Sequence, residues 1–471
     1  ILILLFISLF ISCQTIENKN ENPNIVLIVA DDLGWTDVSY MGSKYYETPN
    51  IDKLSRSGMT FYNGYASAAN CAPSRATMLS GRYNTHHGIY TVGASERGSE
   101  KTRKIIPIRN ETILDLRYFL IPEMLKNEGY VTGHFGKWHL GSQGFYPEDN
   151  GFDVNIGGFE KGSPMGGYYS PYINPKLNDG PKGEYLTDRL TDESIKLIKS
   201  HNKNEPFAMF LSFYNVHTPI QANEKHIDYF SKKLSEMDNN EVRTKSEGDA
   251  ITRLNHTNPE YASMVYAVDE NVGKLIKSLK DSDLYENSLI IFTSDNGGLS
   301  TLKKIAPTSV YPLRAGKGWL YEGGIRIPQL IKSPGNTDNI IVNDITASYD
   351  LFPTILDFAG IKNNIDIDGI SLAPILNGQS EIDREDIFWH FPHYHGSLWK
   401  PGSAIRSGDW KLVFHYESNN AELFNLKEDP GEINDLSLLF EEKKQILLNK
   451  LNNLKNETNA NKVSINPNFK N

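Results

Sequence analysis

The sequence predicts an α/β protein with a large, mostly parallel sheet flanked by helices, then a smaller C-terminal antiparallel sheet closed by a helix. Apolar runs alternate with amphipathic stretches as far as residue 376, the order that builds a parallel sheet. From about residue 379 the pattern shortens to one brief strand after another. Four of the apolar runs end directly in polar residues, and in open α/β sheets ligands bind beyond the carboxyl ends of strands. The 471 residues suffice for one large domain and one smaller one. A hydrophobic content of 39% and a charged content of 23% suit a globular protein. The net charge of -10 and pI near 5.7 argue against nucleic acid or an anionic membrane as the main partner.

In chain order, residues 1–22 form a leader and tether, residues 23–376 the large domain and residues 377–471 the C-terminal subdomain. Ile1 to Cys13 is uncharged and rich in Ile, Leu and Phe. It is shorter than the ~20 residues a membrane span needs, but it matches the apolar part of an export signal. No initiating Met or basic leader precedes it, as expected of a truncated leader. Phe10-Ile11-Ser12-Cys13 resembles a relaxed bacterial lipobox, with Cys13 lipidated and Gln14 to Asn24 as a polar tether; a plain cleaved signal is the alternative. Both imply export, to the periplasm or to a surface where only the lipid anchor touches membrane.

The first strand, Ile25 to Ala30, runs into Asp31-Asp32. Tyr130 to Phe135 leads to Gly136-Lys137-Trp138-His139, where an extended backbone would turn Lys137 and His139 the same way. Phe207 to Tyr214 leads to Asn215-Val216-His217, and Leu289 to Ser294 to Asp295-Asn296-Gly297-Gly298. One such ending is an ordinary helix cap; four point to a shared site. Asp31, Asp32, Asp295 and Asn296 offer hard oxygen ligands of the kind that bind calcium or, less favourably, magnesium. Between the first two strands, Cys71-Ala72-Pro73-Ser74-Arg75 opens a helix, with Pro73 suited to its first turn. The free amides and dipole of that helix end favour an anion.

Cys71-Ala72-Pro73-Ser74-Arg75, followed by Leu79-Ser80-Gly81-Arg82, resembles the signature of the formylglycine-dependent (type I) sulfatases. Gly136-Lys137-Trp138-His139-Leu140-Gly141, Gly316-Lys317-Gly318-Trp319 and Glu322 to Pro328 are similar to further blocks of that family, in its order, so the likeness spans residues 23 to 335. It implies an alkaline-phosphatase-like fold and a sulfuric ester hydrolase. It further implies that a maturation enzyme oxidises Cys71 to formylglycine (3-oxoalanine), whose hydrate attacks sulfur. One calcium ion is expected on Asp31, Asp32, Asp295, Asn296 and residue 71. Lys137, His217 and Lys317 would hold the sulfuryl group, with His217 or a His217–Lys317 pair protonating the leaving alcohol. Asp295 would help deprotonate the attacking hydroxyl, His139 would drive the final elimination, and Arg75 would steady the diol. With Cys13 lipidated and Cys71 oxidised, no disulfide is expected.

Residues 336 to 376 read as a connection with a helix from Ser348 to Leu356. The C-terminal strands are expected at Asp386–His390, Ser403–Arg406, Trp410–His415 and Glu422–Asn425, closed by a helix from Glu441 to Leu454, with an Asn-rich disordered tail from Asn456. His390, His393 and His395 form either a substrate-contacting rim or an aromatic sheet edge; without a Cys or carboxylate companion they are no zinc site. Arg97, Lys101, Arg103, Lys104 and Arg109 form either a solvated loop or a basic stretch that meets a second anion of a polymer. The expected substrate is a sulfated carbohydrate, with algal polysaccharide such as ulvan or carrageenan favoured over host glycans. The alternatives are a phosphate or phosphonate monoester hydrolase on the same fold, or a catalytically silent glycan-binding lipoprotein.

Overall fold

Eight strands build the central sheet: β1 (Asn24–Ala30), β2 (Met59–Tyr65), β3 (Val131–Gly136), β4 (Val154–Ile156), β5 (Phe207–Ser212), β6 (Ser288–Ser294), β7 (Gln329–Lys332) and β8 (Ile340–Ala347). The computed structural model describes residues 22–470 except 95, 203, 204, 337, 363, 380 and 381. The proposed lipidation site Cys13 and its leader lie outside the described residues. The strand order is β8-β2-β7-β6-β1-β5-β3-β4, and only β7 runs against its neighbours. The four strands that end in candidate chemistry, β6, β1, β5 and β3, are therefore consecutive in the sheet.

Burial on both faces explains the unbroken apolar runs. Along β1, Val26, Ile28 and Ala30 enter one core, and Ile25, Leu27 and Val29 the opposite one. The first core packs under α4 (Leu186–Ser200), α5 (Ile227–Ser235) and α6 (Pro259–Asp281). The second packs under α2 (Cys71–Ser80), α3 (Ile121–Asn127) and α7 (Leu351–Phe358), while α1 (Pro49–Ser55) sits on the first face. Residues 340–347 correct the expectation of a mere connection, because they add β8 to the sheet edge in parallel with β2. Their pattern was weak because an edge strand buries little: Ile341 is 64% exposed.

The C-terminal sheet is antiparallel, with β9 (Asp386–Phe391), β10 (Gly402–Ser407), β11 (Trp410–His415) and β12 (Asn420–Asn425) in sequence order. One face packs on Leu320, Tyr321 and Ile325 of the large domain, and the other on α8 (Glu441–Glu457) through Leu447 and Leu451. The expected disordered tail is also corrected. Ser464–Ile465 pairs antiparallel with Ile105–Ile106, and Asn466 Nδ2 donates to the carbonyls of Glu100 and Arg103. No described helix is long and apolar enough to cross a membrane.

Candidate active site

At the end of β1 the backbone turns sharply, with Asp32 in the left-handed region at φ 61°, which Asp tolerates. The turn sends Asp31 and Asp32 to one point beyond the sheet, and both are fully buried. From β6, Asp295 accepts the Asp32 N–H at 3.1 Å, and Asn296 donates to Asp32 Oδ1 at 2.9 Å. The α2 helix brings Cys71 in its first turn and ends at Gly81. That residue must be glycine: its φ is 65°, and a β-carbon would press on the Phe352 ring. Asp31, Cys71 and Asp295 each present an atom to one point, all mutually within 4.8 Å.

Three cations enclose these acids. Arg75 Nε meets Asp295 at 2.7 Å, and its Nη1 donates to the Lys137 carbonyl, which ties α2 to the end of β3. Lys137 Nζ lies 2.7 Å from Asp31, and Lys317 Nζ lies 2.6 Å from Asp32 and 3.9 Å from Cys71 Sγ. The loop carrying Lys317 is bound at both ends of the site: Lys317 N–H donates to Gly298, and Gly318 N–H to Ala69 just before the Cys71 helix. His217 Nε2 stands 3.9 Å from Asp32 while its Nδ1 faces the Thr218 carbonyl at 2.7 Å. Tyr168 holds that loop, its hydroxyl 2.7 Å from both the Tyr214 and His217 carbonyl oxygens. His139 departs from the extended backbone expected of it, adopting φ 65°, and its ring lies flat against the bare Cα of Gly162.

The electrostatics follow from burial. Burial raises the Asp31 carboxyl well above its ordinary value, and Asp295 and Asp32 push it further while Lys137 opposes them. Burial also works against Asp32 and Asp295, but Lys317 at the first and Arg75 at the second hold them below the usual carboxylate range. The Cys71 thiol is raised by burial despite Lys137 and Lys317, so the sulfur is no thiolate nucleophile. His217 is pushed down to about 3 by burial and then by Lys317, and His139 is lowered in the same way by burial and Lys137. Two neutral imidazoles thus stand beside three carboxylates and three cations.

The set accommodates a hard dication. Asp31 Oδ1 and Asn296 Oδ1 are buried oxygens without a hydrogen-bond partner among the described residues, and both sit at the acid cluster. Unsatisfied buried acceptors are costly unless a cation or water meets them. A dication would leave the site with two surplus positive charges, suited to an anionic ester.

The model of the Sulfatase family matches residues 23–361, and that of the N-sulphoglucosamine sulphohydrolase C-terminal region matches residues 315–461. The chain belongs to the sulfatase family. A sulfatase of Formosa agariphila is 33% identical over 92% of this chain and 88% of its own length. The human N-acetylgalactosamine-6-sulfatase is 30% identical over 79% of this chain and 68% of its own. The solved structure of Ps i-CgsB in complex with k-i-k-neocarrahexaose is 29% identical, with a TM-score of 0.74 over 92% of each chain. The protein is therefore a sulfuric ester hydrolase of the alkaline phosphatase superfamily. Sulfatases generally use formylglycine and a divalent metal, and this chain carries a buried Asp31–Cys71–Asp295 cluster.

All of the expected catalytic and metal residues converge: Asp31, Asp32, Cys71, Arg75, Lys137, His139, His217, Asp295, Asn296 and Lys317. The expected carbohydrate rim does not survive intact. His390 is buried, hydrogen-bonding Ser403 Oγ and the Asn461 carbonyl, and His393 is buried against the Ile108 carbonyl. Both are packing residues: the two His390 nitrogens and His393 Nε2 face protein oxygens, while His393 Nδ1 is buried without a partner among the described residues. Only His395 reaches the site, against Gly318, where any β-carbon would collide with its ring. Arg103 is buried beside it rather than solvated. Tyr168 and Gly162 escaped sequence reasoning, since they act through a hydroxyl and a missing side chain in a loop without periodic pattern.

Proposed function

We propose that this sulfatase removes sulfate from an algal galactan of the carrageenan type, using formylglycine made from Cys71 and calcium held by Asp31, Asp32, Asp295, Asn296 and residue 71. The observation that carries the reading is the burial of Cys71 among three carboxylates and three cations at the ends of four consecutive strands. The carrageenan oligosaccharide bound by Ps i-CgsB favours that glycan over ulvan. Hydrated formylglycine would supply one hydroxyl to attack sulfur and a second whose deprotonation would rebuild the aldehyde and release sulfate on the first oxygen, and calcium would make the attacking hydroxyl more acidic.

The chain's own groups do the rest. Arg75 fixes the Asp295 carboxylate, which is kept ionised and so able to accept the proton of the attacking hydroxyl. Lys137 and Lys317, held beside Asp31 and Asp32, would offer their charges to the sulfuryl oxygens. Lys317 holds its proton firmly; burial opposes this, but Asp32 and Cys71 outweigh it. His217, whose Nε2 faces the acid cluster, or the His217–Lys317 pair would protonate the departing alkoxide. His139 Nδ1 has no hydrogen-bond partner among the described residues, so its lone pair is available to the second hydroxyl when sulfate is eliminated. The exported, lipid-anchored location expected from the leader suits a polymer too large to enter a cell.

The test is sulfate release from defined carrageenan oligosaccharides by matured protein. Cys71→Ala is expected to lose activity by on the order of 10⁴-fold or more with an unchanged melting temperature. Comparable release by that variant would refute the reading.

A further inference from the structure

Beyond His395 lies a cleft of about 540 Å³ whose walls come from the 97–104 segment, the 394–400 turn and the C-terminal tail. Four cations line it, Arg97, Arg103, Lys104 and Lys400, against two carboxylates, Asp249 and Glu417. Both carboxylates face Lys400, at 3.9 and 3.6 Å, and Glu417 also accepts the Tyr394 hydroxyl at 2.6 Å. Among the described residues, Arg97 and Arg103 have no acid partner.

Arg103 is 7% exposed and has no carboxylate partner among the described residues. Its Nη1 donates only to the Arg97 and Gly98 carbonyls, at 3.4 and 3.2 Å, and its Nε has no partner. Arg97 gives Nη2 to the Val92 carbonyl, its Nε is likewise bare, and its Nη1 lies over Gly396, 3.6 Å from where a β-carbon would stand. Other enclosed arginines here hold an acid or several acceptors, although Arg75 Nη2 is also bare. Arg75, Arg314 and Arg384 each hold a carboxylate, and Arg253, which has none, donates to four protein oxygens. A guanidinium cannot shed its proton, so two neighbouring, incompletely paired ones suit an anion. The cleft opens toward the sulfate pocket, because His395 lines it and also packs on Gly318 beside Lys317.

We infer that this cleft binds a second anionic group, a sulfate on a neighbouring sugar of the same chain, so that the substrate is a multiply sulfated oligosaccharide. The inference rests on the sulfatase reading above and extends it. The ordered tail is part of the device: Asn466 pins the basic segment, and Phe469 sits under Lys104 Nζ, 5.7 Å from the ring centre. Against a molecule of net charge -10, such a local positive patch also selects where a polyanion lands.

The test is calorimetric binding of a size-defined dextran sulfate hexasaccharide, with the unsulfated hexasaccharide as control, at fixed ionic strength. Arg97→Gln is expected to weaken binding of the sulfated probe about tenfold, the scale of one charge-assisted hydrogen bond, and the solvent-exposed Lys104→Gln by a smaller factor. Lys101→Gln, on the same segment but outside the cleft, should bind as the unaltered protein does. Arg97→Gln binding like the unaltered protein, or Lys101→Gln losing as much, would overturn the inference. Sulfate release is read separately. Its absence on every sulfated glycan, with the Arg97 difference intact, would refute the function proposed for Cys71 while supporting an anion site in the cleft.

Discussion

At the scale of single residues, the site is a problem in charge compensation. Asp32 and Asp295 are held ionised by Lys317 and Arg75, whereas Asp31 carries a carboxyl raised by burial and an oxygen without a partner. It is thus the group that gains most from a cation. Asp31→Asn is expected to lower calcium affinity by at least the roughly 10–100-fold seen when groups around a metal site are altered. The readout is metal content after dialysis and the calcium-induced rise in melting temperature. Equal calcium content in variant and unaltered protein would contradict the assignment. Cys71 makes the complementary argument. Burial raises its thiol, which disfavours attack as thiolate sulfur.

At the scale of elements, most of the site sits where a strand or helix begins or ends, and this made it legible; Lys317, in a loop, is the exception. Asp31-Asp32, Lys137, His217 and Asp295-Asn296 each follow an apolar run directly, a local signal that survives without knowledge of the fold. What joins them was not legible, because it depends on strand order: only when β6, β1, β5 and β3 lie side by side do these endings share one point. The histidines of the 390–395 segment left two readings open, a substrate rim or an aromatic sheet edge, because the partners that bury His390 and His393 are the carbonyls of Asn461 and Ile108, remote in sequence. The tail misled for a related reason. Its Asn-rich composition offers no core, but its backbone pairs with Ile105–Ile106 and its amides cap the basic segment. Deleting residues 458–471 is therefore expected to speed hydrogen exchange across residues 97–106. Unchanged protection there would show that the tail holds nothing.

At the scale of the molecule, the large domain and its C-terminal sheet were foreseen from alternation and strand length, while the edge strand β8 was not, its exposed isoleucines resembling a linker. Buried histidines govern how this fold meets acid. Burial pushes His87 and His390 down to about 3, and His393 to about 4, against an ordinary value of 6.5. Below pH 6.5 the unfolded chain binds protons that the folded chain refuses, so their contribution is complete above that pH and shrinks as pH falls toward 3 to 4. At about 1.4 kcal/mol per pKa unit, one such histidine costs about 3 kcal/mol by pH 4. The melting temperature is expected to fall steadily from pH 7 to pH 4; a flat profile would contradict this.

The central claim is that residue 71 works as an aldehyde and not as a thiol, and peptide mass spectrometry of the Cys71 peptide from active, matured protein tests it most directly. The account expects sulfur and two hydrogens exchanged for one oxygen, in a fraction that rises and falls with sulfate release across preparations. Fully active protein in which every copy retains the intact thiol would contradict it.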